Sequence, residues 1–312
     1  MDSFPLAWLL PLVLLGAAAL LATSAAPLLR REATLAAIAS ALAGLVAGLL
    51  LQVNDAQKLL WMLAGLLIAL PLLDRARLRA LPVAGLLSGW AGLCALQYAS
   101  MHWGMPGASV LPALLVAMLG ASFAGSLWLG LHPARFTARG EARLPESPPL
   151  PLFIGWGLLA IVLATLSAAL REEPISLHGW LAPAIAALVV LFAAHRQADA
   201  LARIGQALAA GIVIKSAGGL TMEGAALAGV AAAVCVLRGE ALAIAIRLDD
   251  PPRALGALLL PAMVAIVAPG FADLSHLGDQ LQYLGIALGL GVALGLTVWP
   301  LAMLLPGLKR VE

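Results

Sequence analysis

Apolar stretches long enough to cross a bilayer recur along the whole chain, and no other feature limits its fold so severely. Residues 150–170 and 281–305 carry no charged side chain. A helix of about 20 such residues spans the hydrocarbon core. Of 312 residues only 11% are charged, against about 25% in an ordinary soluble domain. That leaves too little polar surface to cover a water-soluble globule of this size. A transmembrane barrel would alternate polar and apolar residues over segments of about ten, and the chain shows no such pattern. The expected class is therefore an all-α, polytopic membrane protein. No basic patch suited to nucleic acid and no separate soluble domain is visible, so one transmembrane domain over 1–312, embedded in the lipid bilayer, is expected.

Eleven spans are expected, at about 6–28, 33–52, 57–73, 81–99, 108–131, 150–170, 175–195, 202–219, 221–246, 253–272 and 281–305. The N-terminus lacks a basic region and runs straight into further spans, so 6–28 reads as a span and not as a cleaved leader. Eleven spans place six basic segments on one side: Arg30 and Arg31; Arg75, Arg77 and Arg79; Arg135, Arg139 and Arg143; Arg196 and Arg203; Arg247 and Arg253; Lys309 and Arg310. The other side holds Lys58 and Arg171, with Lys215 near a helix end. The positive-inside rule then puts the N-terminus outside and the C-terminus in the cytoplasm. The expected location is a bacterial inner membrane. The longest loop, 132–149, contains Pro145, Pro148 and Pro149 and is expected to be irregular. An odd span count permits a five-plus-five inverted repeat with one extra helix, the first or the last.

The densest polar patch in the C-terminal half is Arg247-Leu248-Asp249-Asp250-Pro251, between the ninth and tenth spans. Four other stretches stand with it in order: Leu28-Leu29-Arg30-Arg31-Glu32, then Pro151-Leu152-Phe153-Ile154-Gly155-Trp156-Gly157-Leu158-Leu159, then Ala207-Leu208-Ala209-Ala210-Gly211-Ile212-Val213-Ile214, and the last span from Gln280 to Arg310. Together they resemble the ammonium transporter/Rh family, which carries an R-x-D-D-P motif before its tenth span. The resemblance covers most of the chain, best from about residue 108. It implies eleven spans in this orientation, a homotrimer, no cofactor, and a channel function.

The departures from the family pattern fall on the pore. Family members place one histidine in the fifth span and one in the tenth. Here those positions fall near Leu115 and at about Leu258, and no histidine occurs in 108–131 or 253–272. Gly104-Met105-Pro106-Gly107 lacks the family's acidic residue, and the aromatic gate of the sixth span is reduced to Ala164. The resemblance implies that ammonium loses its proton and crosses as ammonia beside paired imidazoles. A full charge at the bilayer centre costs about 3 kcal/mol or more, and a neutral guest avoids most of that. With leucines at both positions no proton relay is possible. The expected function is passage of ammonia or another small neutral solute through an apolar pore lined by Leu115, Ala164 and Leu258. The alternative is a non-conducting membrane subunit, sensor or scaffold with a membrane partner.

Other polar residues have two readings each. Arg238 and Glu240 lie within the ninth span, where charges default to function. The plainer reading has Arg238 snorkelling to the headgroups and Glu240 pairing with a neighbouring helix. Lys215 and Glu223 flank the tight connection between spans eight and nine, as a structural pair or an outer vestibule. Arg247, Asp249, Asp250 and Pro251 read as a structural loop: a carboxylate can cap the tenth span and Pro fits a first helical turn. Trp8, Trp61, Trp103, Trp128, Trp180 and Trp299 lie near span ends, as an aromatic belt would. Cys94 and Cys235 are expected as small core residues. No catalytic constellation, metal-ligand spacing or phosphate loop is present, so an enzyme is not expected.

Overall fold

A computed structural model describes residues 6–25, 29–73, 78–103, 110–129, 148–171, 180–218, 220–272 and 274–304. The expected irregular loop at 132–149 and the charges at Arg75, Arg77, Arg135, Arg139, Arg143, Lys309 and Arg310 lie outside these residues, apart from the last two residues of the loop. Among the described residues, eleven α-helices run in order: α1 Leu6–Leu21, α2 Arg30–Leu50, α3 Asp55–Ala69, α4 Leu81–Trp103, α5 Val110–Leu129, α6 Pro149–Arg171, α7 Leu181–Ala194, α8 Ala200–Lys215, α9 Met222–Ala245, α10 Leu260–Ala272 and α11 Leu277–Leu304. Each falls on an expected span. Among the described residues, seven helical stretches are long and apolar enough to cross a membrane, and α1, α7 and α10 belong to shorter apolar stretches. The protein is an integral membrane protein.

The helices pack as two copies of one five-helix pattern. In the first, α3 packs on α2, α4 and α5, and α4 on α2. In the second, α8 packs on α7, α9 and α10, and α9 on α7. Across the two sets α1 meets α6, and α5 meets α10. The extra helix is therefore α11, which lies along α5, α10 and α4. Five crossings invert the second set relative to the first, so the fold is an inverted five-helix repeat plus one.

The core sits on α5. Of its membrane-length window, 89% is buried, so lipid reaches almost none of it. Small residues make that possible. A Cβ on Gly291 would stand 2.4 Å from the Ala117 carbonyl oxygen, and one on Gly295 would stand 2.4 Å from that of Ala121. The backbones of α5 and α11 thus nearly touch, as close membrane helices do through glycine and alanine. The buried Ser122 hydroxyl donates to the Ile68 carbonyl at 2.9 Å, tying α5 to the end of α3.

Two groups of residues lie elsewhere than the sequence suggests. Trp61 and Trp299 are buried, at 5% and 0% exposure. The Trp299 indole packs closely against Gly125, and Trp61 sits beside Gly48 and Gly89. Each turns inward from a span end because a glycine opposite makes room for its indole. Trp128 and Trp180 are exposed, as belt residues would be; the side chains of Trp8 and Trp103 lie outside the described residues. Cys94 is exposed on α4 and Cys235 is half-buried on α9, both free. Cys94 is thus a surface residue of its helix, because an unbroken apolar segment does not mark which face turns outward.

Candidate functional site

Leu115 lies in the second turn of α5. It is completely buried, with Leu114 and Val116 on either side. Leu258 lies in a π-helical turn, Leu255–Leu259, that leads into α10. It too is completely buried. α5 packs against both the π-turn and α10, and the two leucines belong to one continuous apolar cluster. Ala164, on α6, is partly buried against the same cluster. The three residues singled out from sequence thus share one apolar interior. At zero exposure neither leucine touches a water-sized space, and α5, the π-turn and α10 carry no charged side chain.

The polar groups gather at one end of α8, α9 and α10. Asp199, Arg203 and Gln206 follow i, i+4, i+7 spacing and so share one face of α8. That face meets Glu240 on α9 and the loop before α10. Arg203 donates from Nε to the Asp199 carboxylate at 3.1 Å and from its terminal nitrogen to Glu240 at 2.6 Å. Arg253 donates to the other Glu240 oxygen at 3.1 Å and also to Asp199. The result is a closed, alternating ring of two carboxylates and two guanidiniums with no net charge. Gln206 adds a hydrogen bond to the Pro252 carbonyl at 3.2 Å. Burial works to raise the Asp199 pKa, but Arg253 and Arg203 together override it and hold the carboxyl below its ordinary 3.8.

Glu240 thus pairs with neighbouring elements, while Arg238, two residues away on another face, is exposed and makes no ion pair among the described residues. Asp199, Arg203, Gln206 and Arg253 were not singled out from the sequence. The signal was there in the polar i, i+4, i+7 pattern at the start of an otherwise apolar helix.

The loop motif resolves into separate tasks. Arg247 adopts φ 55°, and the next amide, of Leu248, donates to the Ala243 carbonyl at 2.8 Å. This is a Schellman turn closing α9, with Leu248 buried beneath it. Asp249 is 1% exposed, drawn in under the loop. Both oxygens of Asp250 accept backbone N–H groups, from Ala254 at 2.8 Å and Leu255 at 2.6 Å. Pro251 does not occupy the first helical turn. It lies in a turn that precedes Ala254, because Arg253 at φ 61° interrupts the chain before the helix starts. On the other side of α9, Glu223 lies in its first turn behind the Thr221 cap, and Lys215 ends α8. No ion pair joins Lys215 to Glu223 among the described residues.

No family model and no curated protein sequence matches the chain. Solved structures do. The crystal structure of Saccharomyces cerevisiae Mep2 superposes with a TM-score of 0.75 at 16% identity, over 98% of this chain and 86% of that one. The Nitrosomonas europaea Rh50 channel gives 0.73 at 16%, over 96% and 86%. A sensor Amt protein gives 0.71 at 13%, over 98% and 93%. At these identities the likeness is one of architecture, and it extends over nearly the whole chain. The fold of this protein is that of the ammonium transporter/Rh proteins.

Proposed function

We propose that the protein is a non-enzymatic membrane channel that passes ammonia or another small neutral solute and excludes ions. One transmembrane domain over 1–312 forms it. The orientation has the N-terminus outside, in a bacterial inner membrane, and the likeness in fold favours a homotrimer. The observation that carries the reading is the pair Leu115 and Leu258, buried in one apolar cluster where α5 meets the start of α10. An ion at such a place would lose its hydration with no polar group to replace it. A neutral guest of ammonia's size needs only a transient gap between leucine side chains. Ala164, small and partly buried, lies against the same cluster as the third pore-lining residue.

The test is a proteoliposome assay. An ammonium pulse is expected to alkalinise the lumen faster than in empty liposomes, with no ammonium-driven current. A saturable current would sink the reading. Replacing both leucines, Leu115→His with Leu258→His, is expected to bring imidazoles together and admit a proton-coupled current. Silence from a folded double variant would place the two positions off a common pathway.

A second reading rests on the same burial. With both leucines at zero exposure the interior is closed in this state, as a non-conducting sensor or scaffold would be. Exposed Arg238 is then a residue through which a membrane partner would be met. Equal ammonia permeability with and without the protein favours this reading.

A further inference from the structure

The ion ring lies over a strained piece of backbone. Arg253 sits at φ 61°, a left-handed conformation that a bulky side chain enters at a cost. Two residues later begins the π-turn Leu255–Leu259, a geometry that is rare and concentrates at functional sites. Leu258, the leucine at the heart of the candidate pore, lies within that turn.

The seam beside it is a direct approach of two backbones. A Cβ on Gly239 would stand 2.3 Å from the Gly256 Cα, so α9 and the π-turn meet backbone to backbone. Neither residue has a side chain, so the backbones approach as closely as those of α5 and α11 do. Polar contacts flank this seam and tie its two sides together. Glu240 is next to Gly239 in the chain, and Arg253 precedes Gly256 by one turn. Their ion pair at 3.1 Å ties the two sides of the seam together. Asp199 and Arg203 fasten both to α8. Asp250 holds the first amides of the turn.

We propose that the Asp199–Arg203–Glu240–Arg253 ring is a clamp that keeps the hinge before α10, and Leu258 with it, in a closed register, and that opening the ring frees residues 254–259 to rearrange while the bundle stays folded. Its bearing on solute passage rests on the channel reading above; the clamp itself does not.

Hydrogen exchange of the full chain in lipid nanodiscs tests it, read peptide by peptide by mass spectrometry. Two mild variants weaken the ring without emptying it. Glu240→Gln keeps the shape and removes a charge; Arg253→Lys keeps the charge and removes the fork. Both are expected to accelerate exchange at 254–259 by about fivefold or more, since charged hydrogen bonds of this kind hold local openings shut. Exchange at 113–121 in α5 is expected to stay as in the unmodified chain. Arg238→Gln, outside the ring on the same helix, is expected to leave both regions unchanged. Unaltered exchange at 254–259 in the ring variants overturns the clamp. So does acceleration of 254–259 and 113–121 alike, which would make the ring a contributor to global stability alone. Because exchange is read without any solute, failure of the clamp and failure of the channel reading are separate results.

Discussion

α5 and α10 occupy equivalent places in the two halves of the repeat, yet they are held by different physics. α5 is enclosed on every side up to its last turn, where Leu127 and Trp128 are exposed, and its closest neighbour, α11, reaches it through glycines. It is a regular helix with no charge near it in sequence from 110 to 129. α10 is partly exposed along its length and begins in a π-turn. Its start is pinned by an ion ring and a capping carboxylate. One helix is positioned by shape alone, the other by shape and charge together. Shape is insensitive to pH and salt, whereas charge is not. The equivalent leucines of the two helices therefore sit on supports of unequal rigidity.

The sharpest way to break the comparison is to spoil the shape. Gly291→Leu would drive a side chain into the Ala117 backbone, where even a Cβ comes within 2.4 Å. Overpacking against backbone is expected to cost about 3 kcal/mol or more, seen as a large drop in thermal stability in detergent. Gly285→Leu on the same helix meets nothing within 4 Å and is expected to change stability by less than about 0.5 kcal/mol. Equal effects from the two would mean that α5 is not held by close approach.

Spoiling the charge comes next. Glu240→Ala strips Arg203 and Arg253 of one partner each, at sites only 12% and 22% exposed. Removing one member of a part-buried network is expected to cost about 2 kcal/mol. Arg238→Ala, on the exposed face, is expected to cost less than about 0.5 kcal/mol. A matching loss from Arg238→Ala would show that the ring contributes nothing particular.

How much of this was legible beforehand differs between the two supports. All eleven helices were, because bilayer thickness imposes a length that apolar runs announce directly. The positions of Leu115 and Leu258 came from the resemblance to the ammonium transporter/Rh family, and both side chains are buried in the core. The ring did not follow. Arg203 and Arg253 read as loop charges obeying the positive-inside rule, and Glu240 as an intramembrane acid paired with a neighbouring helix that the sequence does not name. Their partnership depends on how α8, α9 and the loop before α10 come together, with Arg203 and Glu240 37 residues apart in the chain and Asp199 and Arg253 54 apart. It also reduces what those arginines say about orientation, since Asp199 and Glu240 neutralise them. Trp61 and Trp299 teach the same lesson. Distance from a span end is readable in sequence, but the face on which a side chain lies is set by tertiary contacts.

The electrostatic support also predicts a pH dependence that the packed one lacks. Asp199 has a folded pKa held below its ordinary 3.8, because Arg253 and Arg203 outweigh the opposing effect of burial. A depressed carboxyl pKa contributes stability above the unfolded value and loses it as pH falls through the folded value. The stability difference between the unmodified chain and Asp199→Asn is therefore expected to be constant above about pH 5 and to shrink below about pH 4. Thermal unfolding across pH 3 to 6 measures it. A difference that grows on acidification reverses the sign and removes the ion pairs as its cause.

The smallest effect separates the ring from the turn just before it. Arg247 closes α9 in a left-handed conformation at φ 55°, a place glycine usually takes. Its side chain is exposed and lies outside the ring. If Arg247 acts only through its backbone, Arg247→Gly should relieve the left-handed strain and stabilise the protein by roughly 0.5–1 kcal/mol, less whatever the unfolded chain gains in freedom. A small upward shift in the unfolding midpoint is the expected result, with exchange at 254–259 unchanged. A fall in stability would mean that the arginine side chain makes a contribution of its own. The charged support of α10 would then begin at the end of α9, one loop earlier than the ring alone implies.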